Sequence, residues 1–219
     1  MAAPADGPGA FSAAMAGLGR PVSRETLGRL EAFVATLNRW QKAINLVGPS
    51  TLPLVWERHV LDSAQLEPLI PPEARTLADL GTGAGFPGLV LAAMRPDLQV
   101  TLVEVDGRKA AFLGEAARQM ALPVPPRIVV ARIEAAPPSR ADVVTARALA
   151  PLDQLLAWAD RHRNDHAISL FHKGKGWQGE LTQAMKSWDV SSQPLASATD
   201  RDAVILRIDA FARPDLRDR

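Results

Sequence analysis

Residues 79–88, with the letters DLGTGAGFPG, combine the residue types and spacing that most clearly suggest a binding site. Glycines at positions 81, 83 and 85 follow a short apolar run that predicts a buried strand over residues 76–80, and a helix is predicted over residues 87–94. Such a loop lets a ligand approach the backbone where a side chain would block it. Glu104 ends the next predicted strand, where a carboxylate can hold the hydroxyls of a ribose. The segment therefore predicts a site for a nucleoside-containing cofactor.

Two kinds of cofactor fit this loop. Gly83, Gly85 and Gly88 satisfy the dinucleotide fingerprint GxGxxG. However, that fingerprint places its first glycine at the strand end, here Gly81, and Phe86 then breaks the pattern. The carboxylate of Asp79 suits the ammonium of a methionine group and repels a pyrophosphate. These features favour S-adenosylmethionine, with Asp79, Gly81, Gly83 and Glu104 as contacts; a nicotinamide or flavin nucleotide and a plain tight turn are the alternatives.

The pattern along the chain predicts an α/β fold with a doubly wound, mostly parallel seven-stranded sheet and an antiparallel C-terminal hairpin. Strands after the first are predicted over residues 99–104, 127–131, 142–146, 167–171, 190–195 and 203–208, with helices over residues 108–121 and 151–161. Residues 1–20 are rich in small residues, Gly and Pro, which predicts a disordered segment. Residues 21–70 predict a helical cap, with one helix capped by Ser23 and another over residues 52–66. Residues 71–219 form the cofactor-binding domain.

Polar clusters follow the ends of five successive predicted strands. They are Gly81, Glu104, Ile133-Glu134, Arg147 and His172-Lys173. Open α/β sheets bind ligands along the edge formed by the carboxyl ends of their strands. We therefore expect all five clusters to meet at one site.

Composition excludes several classes of protein. The chain has no cysteine, which rules out disulfides, thiolate metal sites and a cysteine nucleophile. It has no tyrosine either, so the common proton donor of short-chain dehydrogenases is missing. Only Arg20 is positive among the first twenty residues, and no apolar run reaches the length of a membrane span. We expect a cytoplasmic protein without a signal peptide, a membrane contact or a metal.

Several motifs together resemble the small-subunit ribosomal RNA methyltransferase G family, also called glucose-inhibited division protein B. They are Asn45-Leu46-Val47, Arg58-His59-Val60-Leu61-Asp62-Ser63, the glycine loop, Arg132-Ile133-Glu134 and Arg147-Ala148. The resemblance runs from about Leu30 to Glu180. Glu104-Val105 stands where the family usually has Asp-Ser, Ile133 replaces a common Ala, and His172 replaces a common Met.

This resemblance implies a fold, a cofactor and a reaction. It implies a class I methyltransferase that transfers a methyl group from S-adenosylmethionine to N7 of a guanine in the decoding-region (530) loop of 16S rRNA. The family's cofactor contacts fall on Gly81, Phe86, Ile133, Glu134 and Arg147. The expected partner is 16S rRNA within the small ribosomal subunit or an assembly intermediate, and we expect a monomer. A non-catalytic domain that senses S-adenosylmethionine is an alternative.

Guanine N7 has a lone pair and no proton, so its methylation needs alignment and exclusion of water more than a general base. Arg147 is the expected catalytic residue, which would orient cofactor and base through guanine O6 or a phosphate. His59 and Asp62 are expected to line the cap side of the cleft, and an ordinary surface ion pair between Arg58 and Asp62 is the simpler interpretation of their spacing. Expected RNA contacts are His59, Arg147, His172 and Lys173, with a basic rim that adds Arg161, His162, Arg163 and Lys175.

Overall fold

The computed structural model describes residues 6–214, and its strands lie close to those predicted. The strands are β1 Thr76–Leu80, β2 Gln99–Glu104, β3 Arg127–Val130, β4 Ala141–Arg147, β5 Arg163–Lys173, β6 Asp189–Ala196 and β7 Val204–Ala212. They form one seven-stranded sheet in the order β3-β2-β1-β4-β5-β7-β6. β1 to β5 are parallel, and β7 runs antiparallel to both β5 and β6. The predicted fold class is confirmed, including the C-terminal hairpin.

Helices cover both faces of this sheet. The α-helices are α1 Pro8–Gly17, α2 Arg24–Trp40, α3 Asp62–Ala64, α4 Gly88–Met94, α5 Gly107–Gln119, α6 Leu152–His162 and α7 Trp177–Ala184. The apolar side chains of α2, α4 and α5 form one core with one face of the sheet, and those of α6 pack with the other face. The helix α7 was not predicted. Ala184 is its one fully buried residue, so its sequence shows no apolar stripe. Among residues 6–214, no helix is long and apolar enough to cross a membrane.

The helix α2 joins the predicted cap to the sheet. Its N-cap is Ser23, as predicted, and the Ser23 side chain accepts a hydrogen bond from the Thr26 N–H. Phe33 on its inner face is fully buried and lies 5.0 Å from Phe86 in the glycine loop, measured between ring centroids. The helix α2 thus packs into the same core as the sheet and the glycine loop.

The predicted disorder of residues 1–20 is wrong for the part that the structure describes. Residues 8–17 form α1, with Phe11 and Met15 buried. The Phe11 ring lies 5.7 Å from the Trp56 ring, and the Asp6 carboxylate accepts hydrogen bonds from the backbone N–H groups of Trp56 and Glu57. This segment is therefore ordered by contacts with residues 45 or more positions away. Its local composition alone gives no indication that it has side chains to bury. Residues 1–5 lie outside the described part.

The single helix predicted over residues 52–66 is also wrong. This segment consists of a 3-10 turn at Leu52–Leu54, a π-helix at Trp56–Leu61 and the short α3, followed by a 3-10 turn at Glu67–Leu69. The wider π turn shifts residues around the helix axis relative to an α-helix, so residues four apart no longer stack. Arg58 accordingly pairs with Asp200, at 3.5 Å, and the expected Arg58–Asp62 ion pair does not form.

At the amino edge of the sheet, one carboxylate joins three parallel strands. Asp142 on β4 accepts hydrogen bonds from Arg75 N and from both the N–H and the hydroxyl of Thr76 at the start of β1. It also accepts one from the Asn164 side chain on β5. The central strands are therefore held together at this edge by polar contacts, and the opposite edge is left open.

Candidate functional site

The carboxyl edge of the sheet opens into a cleft of about 550 Å³. The cleft lies where the strand order reverses between β1 and β4, which is the usual ligand position in doubly wound sheets. Its walls come from the loop after α2, the π-helix, the glycine loop, the ends of β2, β3 and β4, and α6. The lining includes Leu46, Val47, His59, Gly81, Gly83, Phe86, Val103, Glu104, Val105, Ile133, Glu134, Arg147 and Leu149. Gly81, Glu104, Ile133-Glu134 and Arg147 therefore meet as expected.

Two glycines of the loop line the cleft in backbone conformations that require glycine. Gly81 has a φ of +62°, and a Cβ there would lie 2.5 Å from the Leu149 side chain. Gly83 has a φ of +57°, and the nearest atom to an added Cβ is 3.9 Å away. Both conformations are in the left-handed region that favours glycine. At Gly83 the space next to the backbone is open, so this part of the loop can accept a ligand at close range.

Asp79 supports the loop from below and does not line the cleft. Its side chain is fully buried, and its carboxylate accepts hydrogen bonds from the hydroxyls of Thr82 and Thr145 and from Gly88 N. Burial raises the pKa of Asp79 to about 6, although the three hydrogen bonds act in the opposite direction. The expectation that this carboxylate faces a ligand ammonium is therefore wrong: its oxygens are directed to the loop and to β4.

Glu104 lies at the end of β2, where the sequence placed it. One carboxylate oxygen accepts a hydrogen bond from Gly83 N at 2.8 Å, and the other accepts from Asp106 N at 2.9 Å. A carboxylate has about four acceptor positions. Glu104 can therefore fix the glycine loop and still accept hydrogen bonds from a ligand in the cleft.

Ile133 and Glu134 form the wall beyond β3. The Ile133 side chain is buried, and its carbonyl oxygen lies 3.0 Å from Nε2 of His162 on α6. His162 is fully buried, with its other ring nitrogen 3.1 Å from the Ser139 hydroxyl, and burial lowers its pKa. The expected role of His162 in an RNA-binding rim is therefore wrong. Arg163 pairs with Ala141 at the start of β4, so it lies at the opposite edge of the sheet and is also unsuited to that rim.

Arg147 joins the end of β4 to the π-helix. Its guanidinium donates hydrogen bonds to the Asp62 carboxylate and the Arg58 carbonyl, both at 3.2 Å, and to Nδ1 of His59 at 2.9 Å. It also lies over the Phe86 ring, 5.1 Å from the ring centroid. Burial lowers the pKa of Arg147, whereas the charge of Asp62 raises it. The cation is thus held in the cleft wall by groups from three segments.

These contacts define the state of His59. Arginine has no acceptor, so Nδ1 of His59 must be unprotonated to receive its hydrogen bond. The Nε2–H then donates to the Thr51 hydroxyl at 2.8 Å, and the ring stacks on Phe86 with 5.1 Å between centroids. Burial, followed by the nearby charge of Arg147, lowers the pKa of His59 to about 4. His59 is therefore neutral near pH 7, with both nitrogens engaged.

Two expected RNA contacts face inward. The Lys173 ammonium is buried and binds the Glu180 carboxylate at 2.7 Å and the Ala150 carbonyl at 2.8 Å. His172 donates from Nε2 to the Asp62 carbonyl at 2.7 Å, and burial lowers its pKa. The Lys173 charge is already paired with Glu180 and His172 is nine-tenths buried, so neither belongs to an exposed basic rim, and their contact with RNA stays a prediction.

A second cavity of about 340 Å³ lies on the other side of Arg147. Arg147, His59 and Ala148 line both this cavity and the cleft. The remaining walls include Arg58, Asp62 and His172, together with Thr199 and Asp200 from the β6–β7 hairpin. The two spaces are therefore neighbours that share one wall.

Sequence reasoning missed two residues of the site. Gln41 accepts hydrogen bonds from Leu46 N and Val47 N and donates to the Val47 carbonyl, so it fixes the loop that closes one side of the cleft. Trp158 on α6 also lines the cleft, and its indole N–H has no partner among residues 6–214. For Gln41, the buried apolar pair Leu46-Val47 inside a polar loop was the available signal. For Trp158, a Trp within a helix gave no signal of a binding site.

The reversed β7 between β5 and β6 distinguishes this sheet from that of dinucleotide-binding domains, and together with the switch-point cleft it defines a class I S-adenosylmethionine-dependent methyltransferase. A solved structure of an S-adenosylmethionine-dependent methyltransferase from Aquifex aeolicus shares this fold, with a TM-score of 0.54, 15% identity and coverage of 81% of this chain and 98% of that one.

The match at the level of sequence is more specific. The model of the rRNA small subunit methyltransferase G family matches residues 26–203, and the chain belongs to this family. It is 52% identical over 193 residues to the ribosomal RNA small subunit methyltransferase G of Paramagnetospirillum magneticum, covering 88% of this chain and 92% of the relative. The corresponding protein of Methylobacterium sp. (strain 4-46) is 51% identical over 199 residues, with coverage of 88% and 92%. The resemblance and the cofactor are thereby confirmed, and the nicotinamide or flavin alternative is excluded.

Proposed function

We propose that this protein transfers a methyl group from S-adenosylmethionine to N7 of a guanine in the decoding-region (530) loop of 16S rRNA. The observation that carries the proposal is the shared wall of the two cavities. Arg147 and His59 border both a cleft suited to the cofactor and a neighbouring cavity suited to a base, so a methyl donor in the first and a base in the second can meet beside them. The names of the relatives support ribosomal RNA of the small subunit as the substrate.

The cleft residues fit S-adenosylmethionine. Glu104 has acceptor positions left for the ribose hydroxyls, and Val105 and Ile133 offer apolar surfaces to the two faces of an adenine. Glu134 is exposed at the same end of the cleft, where it would accept from the adenine amino group. The open backbone at Gly83, the adjoining Gly81 and the ring of Phe86 would hold the methionine part. Asp79 acts on the cofactor only by fixing the loop.

The chain's own residues have little proton chemistry to perform. The cofactor supplies an electrophilic methyl group, the N7 lone pair forms the new bond, and the sulfur leaves with the electron pair of the old one. Because N7 carries no proton, a general base is not required. This agrees with a wall in which His59 is neutral and has both ring nitrogens occupied. Arg147 would donate to guanine O6 and leave the N7 lone pair free.

RNA phosphates would meet a basic rim that differs from the one expected from the sequence. Arg132 and Lys109 line the cleft, and Lys175 is exposed beyond the end of β5. His162 and Arg163 do not fit this rim because His162 is buried and Arg163 lies at the opposite edge of the sheet, whereas the exposed Arg161, which donates to the Ala136 carbonyl, stays a predicted member. Because contacts to phosphates release counterions, binding to the subunit should weaken steeply with salt.

The proposal is tested by transfer of radiolabelled methyl from S-adenosylmethionine to small subunits that lack the modification, with naked 16S rRNA alongside. Digestion of the labelled RNA should give N7-methylguanosine from the 530 loop. Cofactor binding without label on either substrate would favour the sensor alternative. Label on another base or another loop would contradict the proposed target.

Substitution of Arg147 by Ala removes the cation from the shared wall. We expect Arg147→Ala to lose at least about 100-fold in methyl transfer, the loss typical of a charge-stabilising donor, while its thermal unfolding stays cooperative. Arg108→Ala is the matched control, because Arg108 is exposed and lines neither cavity. Full activity in Arg147→Ala would rule out the proposed role of Arg147.

A further inference from the structure

The second cavity contains two carboxylates, and only one of them is available to a ligand. The Asp62 carboxylate accepts hydrogen bonds from Arg147, from the Thr199 hydroxyl and from the Gln65 side chain. Asp200 accepts from Asp202 N, and its other oxygen lies 3.5 Å from the Arg58 guanidinium. Both side chains of the Arg58–Asp200 pair are about 40% exposed. Such a pair contributes little to stability, so Asp200 can exchange it for a ligand at small cost.

Asp200 also lies on the far side of the cavity from the cofactor. Arg147, His59 and Ala148 line both spaces, whereas Asp200 lines only the second cavity. It is carried by the hairpin loop between β6 and β7, and the pairing of Ala196 with Val204 closes that loop. A ligand in the cavity would therefore have Arg147 on one side and Asp200 on the other.

His172 also borders this cavity and is nine-tenths buried. Its Nε2 donates to the Asp62 carbonyl, which leaves Nδ1 as an acceptor, and Nδ1 has no hydrogen-bond partner among the described residues. Buried acceptors are rarely left without a partner. The wall of the cavity therefore holds one polar group whose hydrogen bonding is incomplete.

The shape of guanine connects these observations. When N7 faces the methyl donor, O6 lies beside N7 on the same edge of the base. The N1–H and the 2-amino group are then directed away from the donor. Two parallel N–H donors match a carboxylate, which accepts a pair of hydrogen bonds through its two oxygens.

We infer that the second cavity is the subsite for the flipped target base, and that Asp200 reads its N1–H and 2-amino group. This inference rests on the proposed function and extends it to the residue that selects guanine. Arg147 addresses O6 at the near wall, and Asp200 addresses the Watson–Crick edge at the far wall. Adenine has neither an N1–H nor a 2-amino group, so it would leave Asp200 unpaired.

The test compares two bases and two proteins. Small subunits are reconstituted with 16S rRNA, joined by ligation, that carries guanosine or inosine at the methylated position. Inosine lacks only the 2-amino group. Wild-type protein should lose roughly 10- to 100-fold in kcat/KM on inosine, the range for a hydrogen bond to a charged group. Relative to the wild type, Asp200→Asn should lose a similar factor in kcat/KM on guanosine. Within Asp200→Asn, replacing guanosine by inosine should lower kcat/KM by less than about a further threefold, because the contact to the 2-amino group is already absent.

Controls separate this contact from a general defect. Asp202→Asn changes an exposed neighbour in the same hairpin loop and should behave as the wild type. The affinity of Asp200→Asn for S-adenosylmethionine should be unchanged, because Asp200 does not line the cleft. Equal wild-type rates on guanosine and inosine overturn this inference alone, as does a full inosine penalty in Asp200→Asn. No transfer by the wild type to either base overturns the proposed function as well.

Discussion

At the scale of single residues, charged groups at this site act mainly on other residues of the chain. Asp79 fixes the glycine loop, Glu104 ties Gly83 to β2, and Lys173 is neutralised by Glu180. The residue types were read correctly from the sequence as features of a binding site. Their partners could not be read, because each lies on a different strand, helix or loop. An Asp next to a glycine loop looks the same in the sequence whether its carboxylate faces a ligand or binds the loop itself.

Asp79 offers a direct test of this distinction. In Asp79→Asn, the amide oxygen can still accept from Thr82 and Gly88 N, and the amide nitrogen can donate to the Thr145 hydroxyl. We expect less than about a tenfold loss of affinity for S-adenosylmethionine. Asp79→Ala leaves the buried Gly88 N–H without a partner, which costs about 1–3 kcal/mol of folding free energy and should weaken the cofactor far more. Calorimetric binding and chemical unfolding measure both effects. Equal losses in the two variants would mean that the charge itself acts on the cofactor.

His59 makes the stability of the fold depend on pH. Burial lowers its pKa from the ordinary 6.5 to about 4, so between these values the unfolded chain binds a proton that the folded chain does not. The contribution of His59 is complete above pH 6.5 and is lost as the pH falls towards 4. In His59→Gln, the free energy of unfolding should therefore fall less steeply over this range than in the wild type. Denaturant titrations at a series of pH values measure the slopes, with His166→Gln at an exposed position as control. Parallel curves for wild type and His59→Gln would show that His59 is not responsible.

At the scale of elements, regular strands and helices were easier to predict than the segments that shape the site. β1 and β2 match their predictions residue for residue, because short buried apolar runs between turn residues are distinctive. The π-helix Trp56–Leu61 carries His59 and the Arg58 carbonyl that Arg147 binds, yet its apolar spacing is compatible with an α-helix. Its wider turn depends on contacts with Arg147 and Asp6, which come from distant parts of the chain.

The loop after α2 is an element whose form depends on one side chain. Gln41 makes hydrogen bonds to Leu46 N, Val47 N and the Val47 carbonyl, and Leu46 and Val47 line the cleft. Gln41→Ala should leave α2 nearly intact, because Gln41 follows its last residue Trp40, whereas the buried Leu46 and Val47 belong to the core and a modest loss of overall stability is expected. Its affinity for S-adenosylmethionine should fall about 10-fold or more, since an ordered wall becomes a loop that the ligand must order. Fluorescence titration measures this, and the exposed Lys42→Ala is the control. An unchanged affinity would show that the loop is ordered by other contacts.

At the scale of the whole molecule, the mostly parallel seven-stranded sheet and its C-terminal hairpin were predictable, because alternation of strands and helices restricts the topology to few choices. The N-terminal helix was not, because the Phe11 ring packs on Trp56, 45 residues away. Topology rules therefore carried the prediction of the sheet, whereas contacts of single side chains between remote segments, such as Phe11 with Trp56, have no counterpart in the local sequence pattern.

The cluster around Asp142 has a consequence for how this protein can vary. It joins β1, β4 and β5 at the edge away from the cleft, so much of the polar support of the sheet is independent of the residues that meet ligands. Stability and specificity are therefore separated in space. Residues at the strand ends can therefore change without disturbing what holds the strands together at the other edge. Substitutions at the open edge can change which base or RNA surface is bound, while the contacts at the opposite edge preserve the fold.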